Sequence, residues 1–309
     1  MKRAIFLLLC LLSCSSPRVS SEWMGPTDKI RVLATTAMIQ DTVAEIGKER
    51  VSTNVLIRGE IDPHSYELVK GDDEKLRMAD LVVSNGLGLE HGASLRYAIE
   101  HHPHALLYGD AIDKDRLLVI DGKYDPHVWM DISLWSEGID AVVAALSEID
   151  PGSSSYYQEN GQALKEKMRA AHEGIYRELH QIPSEKRYLV TSHNAFNYFA
   201  RAYLSESGEW EKERCEAPEG LAPDGQLSVA DIQRIIEHIC TYHIGVVFSE
   251  SNVSKDSLKK IISSTAAKCH PVRICTRPLY GDSMGHDVHN YIEMIEHNGK
   301  ILKEEWEKE

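Results

Sequence analysis

Residues 154–180 read SSYYQENGQALKEKMRAAHEGIYRELH. Tyr157, Leu164, Met168, Ala171, Ile175 and Leu179 recur at steps of three, four and seven, which lays one apolar stripe along a single helix. Asp150-Pro151-Gly152 breaks the chain before it and Pro183 stops it. About 27 residues at ~1.5 Å each make a rod of roughly 40 Å, the size of a whole domain. Such a rod, taken as residues 153–182, either joins two halves, 29–152 and 183–309, or lies on the surface of one; periodicity fits both.

Outward from the rod, short β-branched runs alternate with helical patterns, the mark of an α/β chain with mostly parallel strands. Before it, strands are expected at 30–35, 54–58, 81–84, 105–108 and 117–120, with helices at 39–46, 72–78 and 133–149. After it, strands are expected at 188–191, 246–248 and 272–275, and helices at 194–203, 228–239 and 255–263. A last helix runs from about 287, broken at Asn298-Gly299, and 205–224 reads as a loop.

Lysine plus arginine is 34 and aspartate plus glutamate 48, a net charge of −14. That balance argues against nucleic acid and against charge docking on anionic lipid. Lys2 and Arg3 precede a nine-residue apolar run, too short to anchor a bilayer, and Leu11-Leu12-Ser13-Cys14 resembles a bacterial lipobox. The expectation is a signal peptide at 1–13 and a tether at 14–28 lipidated on Cys14; the alternative is an ordinary signal peptide cut near Ser16 or Ser20. Both export the chain, so disulfides can form. Cys215, Cys240, Cys269 and Cys275 allow three complete pairings. The loop surroundings of Cys215 and Cys269 suggest a bridge between those two, and the apolar helix around Cys240 suggests a buried thiol.

The chemistry gathers at strand ends. Asp62-Pro63-His64 follows one strand and Asp125-Pro126-His127 another, each proline stiffening the loop that presents the histidine. His193 ends the 188–191 strand, and Asp282 follows 272–275. Three nitrogens and one carboxylate suit Zn²⁺, Mn²⁺ or Fe²⁺ better than Ca²⁺ or Mg²⁺. Glu250 and His91 lie near enough in pattern to reach the same place, with structural hydrogen bonding the plainer role. Trp129 and Tyr66 read as walls of the site or equally as plain core, and 101–104 (HHPH) as a solvated helix end, with an accessory metal-loading patch as the alternative. Gly86-x-Gly88 lacks the third glycine of a dinucleotide fingerprint.

The ordered phrases DPHSYE (62–67), NGLGLE (85–90), DPHVWMD (125–131), SHNAFNYFARAY (192–203), VVFSESNVS (246–254) and YGDSMG (280–285) resemble the solute-binding lipoproteins of zinc, manganese and iron ABC importers, the cluster A-I or TroA-like family. The resemblance implies two α/β lobes joined by one long rigid helix, with His64, His127, His193 and Asp282 holding one divalent transition-metal ion in the interlobe cleft. It further implies a monomer that is not an enzyme, lipid-anchored in the periplasm or on the outer face of a bacterial membrane, delivering metal to a permease. Residues 112–124 lack the histidine-rich loop usual in zinc-specific members, and His193 stands where some manganese-favouring members carry glutamate, so the metal stays open among Mn²⁺, Zn²⁺ and Fe²⁺. The rival readings are a zinc-dependent hydrolase, though no HExxH supplies a base, and a surface adhesin with incidental metal binding. Gly281, Ser283 and Gly285 make the loop of Asp282 the expected first mover on metal release.

Overall fold

The computed structural model describes residues 23–223 and 227–309, so the signal peptide and Cys14 lie outside the described residues. Ile30–Ala34 (β1), Val51–Val55 (β2), Leu81–Ser84 (β3) and Ala105–Leu107 (β4) form a parallel sheet in the order β2-β1-β3-β4. All four residues of β3 are buried, as expected of a continuous apolar run inside a parallel sheet covered on both faces. Helices Ala37–Gly47, Asp72–Met78 and Ala93–Glu100 make the crossovers.

The expected strand at 117–120 is instead one arm of a small antiparallel hairpin, Val119–Ile120 (β5) with Lys123–Tyr124 (β6). Asp121 and Gly122 between them both have positive φ, 51° and 77°, the turn that an Asp-Gly pair favours. The hairpin delivers the chain directly into Asp125-Pro126-His127.

The second half repeats the plan. Leu189–Val190 (β7) pairs in parallel with Cys215–Glu216 (β8), and Val246–Val247 (β9) with Arg273–Ile274 (β10). The Phe248 N–H donates to the Val190 carbonyl at 2.8 Å and ties the pairs together. The resulting order, β8-β7-β9-β10, is again second, first, third, fourth. β8 falls in the stretch read as loop; Lys212-Glu213-Arg214 beside it gives no strand signal, and only pairing with β7 makes it one.

Ser154–Leu179 is one unbroken helix of 26 residues with Tyr157, Leu164, Met168, Ile175 and Leu179 buried. It packs on Ala37–Gly47 and Ile139–Ile149 of the first half and on Tyr291–Trp306 of the second. The main apolar core is continuous, running from Val32 and Met38 through Trp129, Phe196, Phe199 and Tyr203 to Tyr291 and Trp306. Two smaller clusters cover the outer faces of the sheets. Among the described residues no helix is long and apolar enough to cross a membrane.

Four local expectations are corrected. The final helix, Tyr291–Trp306, runs through Asn298-Gly299 without a break. Gly299 lets it approach the long helix, since a Cβ there would sit 3.2 Å from Ile175 Cγ2. The helix expected at 133–149 is divided into Ile132–Trp135, a tight turn at Ser136–Gly138 and Ile139–Ile149, because Gly138 lies flat against the ring of Tyr108. The helix expected at 194–203 is the single turn Asn197–Phe199 followed by a wider π-turn, Ala200–Leu204. The disulfide joins Cys240 to Cys269, while Cys215 and Cys275 are buried thiols. Cys240 ends Val229–Thr241 and Cys269 caps Asp256–Lys268; these helices share a core around Ile235, Ile239, Leu258 and Ile261, which brings their ends together.

Candidate metal centre

His64, His127, His193 and Asp282 converge: one donor atom from each lies within 4.8 Å of all the others. His64 Nε2 is 3.3 Å from His127 Nε2. Asp282 Oδ1 is 3.4 Å from His127 Nε2, and its Oδ2 is 3.2 Å from His193 Nε2 and 3.8 Å from His64 Nε2. Two of the residues come from each half, and all four are only 0–3% exposed. Asp282 Oδ1 and His193 Nε2 are buried without a well-formed hydrogen bond, their nearest polar neighbours being the other members of the cluster.

Two of the three imidazoles are aimed by a buried carboxylate, and the loop of the third is tied at its backbone. His64 sits just after Pro63, and its N–H donates to Asp62 Oδ1 at 2.8 Å. At His127 the ring Nδ1 lies 2.6 Å from Asp125 Oδ1, which also accepts the His127 backbone N–H at 3.0 Å. Asn197 of the second half donates to Asp125 Oδ2, and Tyr198 OH donates to the Asp125 carbonyl. At His193 the ring Nδ1 lies 2.6 Å from Glu250 Oε2, while Glu250 Oε1 accepts the backbone N–H groups of Ser192 and His193. These carboxylates fix the tautomer that leaves Nε2 free for a metal.

Asp282 is held more tightly than its glycines suggested. Trp129 Nε1 donates to the Gly281 carbonyl at 3.0 Å, and Asn298 makes both an acceptor and a donor bond to the backbone of Tyr280 at 2.8 Å. Gly281 is required by contact: a Cβ there would be 2.4 Å from Glu250 Oε2. Glu90, buried in the 85–90 turn, accepts from Thr35 Oγ1 and from the N–H groups of Asn85 and Gly86; Asn85 in turn donates to the Pro126 carbonyl. The turn thus braces the second DPH loop.

Burial pushes the His64 imidazole down to about 4, despite the nearby Asp282 charge. At His127 burial works the same way, but the Asp125 and Asp282 carboxylates together outweigh it and the value rises. At His193 burial is outweighed by Glu250 and Asp282, and the value lies well above an ordinary imidazole. Burial raises Asp282, yet the His193 and His127 imidazoles hold it well below the usual carboxylate range. The cluster is an anionic seat that attracts positive charge, proton or metal.

All four expected donors therefore meet. Glu250 was visible as a candidate from its place after β9, whereas Asp125 was read only as part of the loop that presents His127. Asn197 and Asn298 carry no local signal. Trp129 packs against His127 at 5.2 Å between ring centroids, whereas Tyr66 is engaged elsewhere, donating to Asp72. His101 and His102 stay at an exposed helix end, bonded to backbone carbonyls.

Residues 32–305 match the family described as zinc-uptake complex component A, periplasmic. The chain is 39% identical over 315 residues to the metal-binding protein YtgA of Chlamydia muridarum, covering 98% of this chain and 95% of that protein. It is 30% identical over 288 residues to the manganese-binding lipoprotein MntA of Bacillus subtilis, covering 92% and 90%. The crystal structure of Fe(III)-bound YtgA from Chlamydia trachomatis is similar at a TM-score of 0.84 and 40% identity, over 90% of this chain and 98% of that one. The fold, the long helix and the match over nearly the whole chain together show that this protein belongs to the zinc-uptake component A family, the TroA-like metal-binding proteins of ABC importers.

Proposed function

We propose that this protein captures one first-row transition-metal ion, Mn²⁺, Zn²⁺ or Fe²⁺, on His64, His127, His193 and Asp282 and passes it to the membrane permease of an ABC importer. The observation that carries the reading is the convergence of four buried donors, two from each half, within 4.8 Å. A relative named for manganese is 30% identical in sequence and an Fe(III)-bound relative shares the fold, which supports a transition metal without selecting one. The chain is read as a first lobe at 29–152, a connecting helix at 153–182 and a second lobe at 183–309. It acts as a monomer, tethered through lipid on Cys14 in the periplasm or on the outer face of a bacterial membrane.

Cargo binding rather than catalysis suits the geometry. A catalytic metal keeps an open position beside a base. Here the donors are sealed and the nearest further carboxylates, Asp125 and Glu250, are engaged in orienting imidazoles. Metal analysis of protein purified without chelator should find one ion per chain, and competition among Mn²⁺, Fe²⁺ and Zn²⁺ should give one shared site. Protein that binds none of the three would overturn the reading. Zinc is expected above manganese in vitro on intrinsic ligand preference alone, so uptake by cells is the better guide to the physiological metal.

A further inference from the structure

The four donors are sealed, so a hydrated cation needs a way in. A cavity of about 470 Å³ lies between the halves, lined by His64, Leu87 and His91 of the first half, the β5–β6 hairpin, and Gly220 and Leu221 of the second. Of the four donors, His64 alone lines it. Its Nε2 faces the cluster, 3.3 Å from His127 Nε2, so the same side chain touches both the sealed site and the way to it.

His91 shares that cavity. It is exposed, and its ring centroid is 5.8 Å from that of His64. The two differ in how they are mounted. His91 directly follows Glu90, whose buried carboxylate holds the 85–90 turn, and the His91 N–H donates to the Leu89 carbonyl at 3.0 Å. His64 lies in the run between β2 and Asp72–Met78, which contains neither helix nor strand.

We infer that His91 is an entry and exit ligand for the transition metal. A partly hydrated divalent cation is first held by the imidazoles of His91 and His64 in the cavity. His64 then carries it inward, His91 lets go, and the remaining waters leave to solvent as His127, His193 and Asp282 take their places. No charge is transferred; each step exchanges a water or an imidazole nitrogen for another donor. Neutral imidazole suits this role because it binds first-row ions yet exchanges. A contact made only along the path changes capture and release together. The inference rests on the proposed metal capture.

The test is rapid-mixing kinetics on the full chain with Zn²⁺ alone, following uptake and then release to a chelator, with melting temperatures to show that variants fold. His91→Ala should slow both rates together by about tenfold, the scale on which a group adjoining a metal site acts. His91→Asp, which keeps a donor, should recover most of the speed, and His91→Gln, similar in size but a weak ligand, should not. Wild-type rates in His91→Ala, or equal slowing in the alanine and aspartate variants, would overturn the role of His91 while leaving capture intact. Absence of zinc uptake by the unaltered protein would overturn the capture function and this inference with it.

Discussion

Two of the three imidazoles in the cluster have Nδ1 beside a buried carboxylate, Asp125 for His127 and Glu250 for His193. Removing the Glu250 charge while keeping its shape, as Glu250→Gln, should weaken metal binding by about 10- to 100-fold with the fold intact, measured by calorimetry beside circular dichroism. The same carboxylates set the pH response. Because His127 and His193 are raised, protons compete for Nε2 already above the ordinary imidazole value near ~6.5. Affinity should therefore fall as pH drops through neutrality, while His64, pushed down to about 4, remains available. In protein stripped of metal the sign is opposite. The stability contributed by protonated His127 and His193 is fully present below ~6.5 and is lost as pH rises through their raised values. Thermal melts of stripped and loaded protein across pH 5.5–8.5, on the order of the range of imidazole titration, should show metal stabilising most at the alkaline end. A metal-induced shift independent of pH would contradict this account. At this scale the donors were legible because each follows a strand end and two are announced by Asp-Pro-His. The pairing of Glu250 with His193 was not, since it depends on β9 lying beside β7.

Among the elements, the last helix shows what local reading misses. Asn298-Gly299 has the composition of a break, yet the helix continues because each residue has a tertiary task. Gly299 admits the long helix near Ile175, and Asn298 clamps Tyr280 two residues before Asp282. Asn298→Ala should leave two buried backbone groups unpaired at about 1–3 kcal/mol each and loosen the Asp282 loop. A lower melting temperature with weaker metal binding is the expected result; weaker melting alone would confine Asn298 to stability. Helices with long apolar periods, above all Ser154–Leu179, were readable from spacing, and Ser228 does cap Val229–Thr241 in a capping box with Asp231. The two-residue strands were placed near the right segments but too long, and β8 was missed, because pairing rather than composition makes such strands.

At the scale of the molecule, the halves share one continuous core that crosses the long helix through Trp129, Phe196, Tyr203 and Tyr291. Tyr291 OH donates to the Trp129 carbonyl and its N–H to Asp41, binding the second half to the first beneath the metal centre. Wide opening would expose this packed surface, so loading should leave the radius of gyration in solution scattering nearly unchanged. Clear compaction on loading would show that the core parts. Hydrogen exchange should change most around His64, in the run without helix or strand, rather than in 280–285, which Trp129 and Asn298 hold. The most direct test of metal capture is titration calorimetry on the wild type and on His64→Ala, His127→Ala, His193→Ala and Asp282→Ala. One ion per chain in the wild type, and at least tenfold weaker binding in each variant, about 1.4 kcal/mol or more, is the result predicted. Full affinity in all four variants would contradict the account.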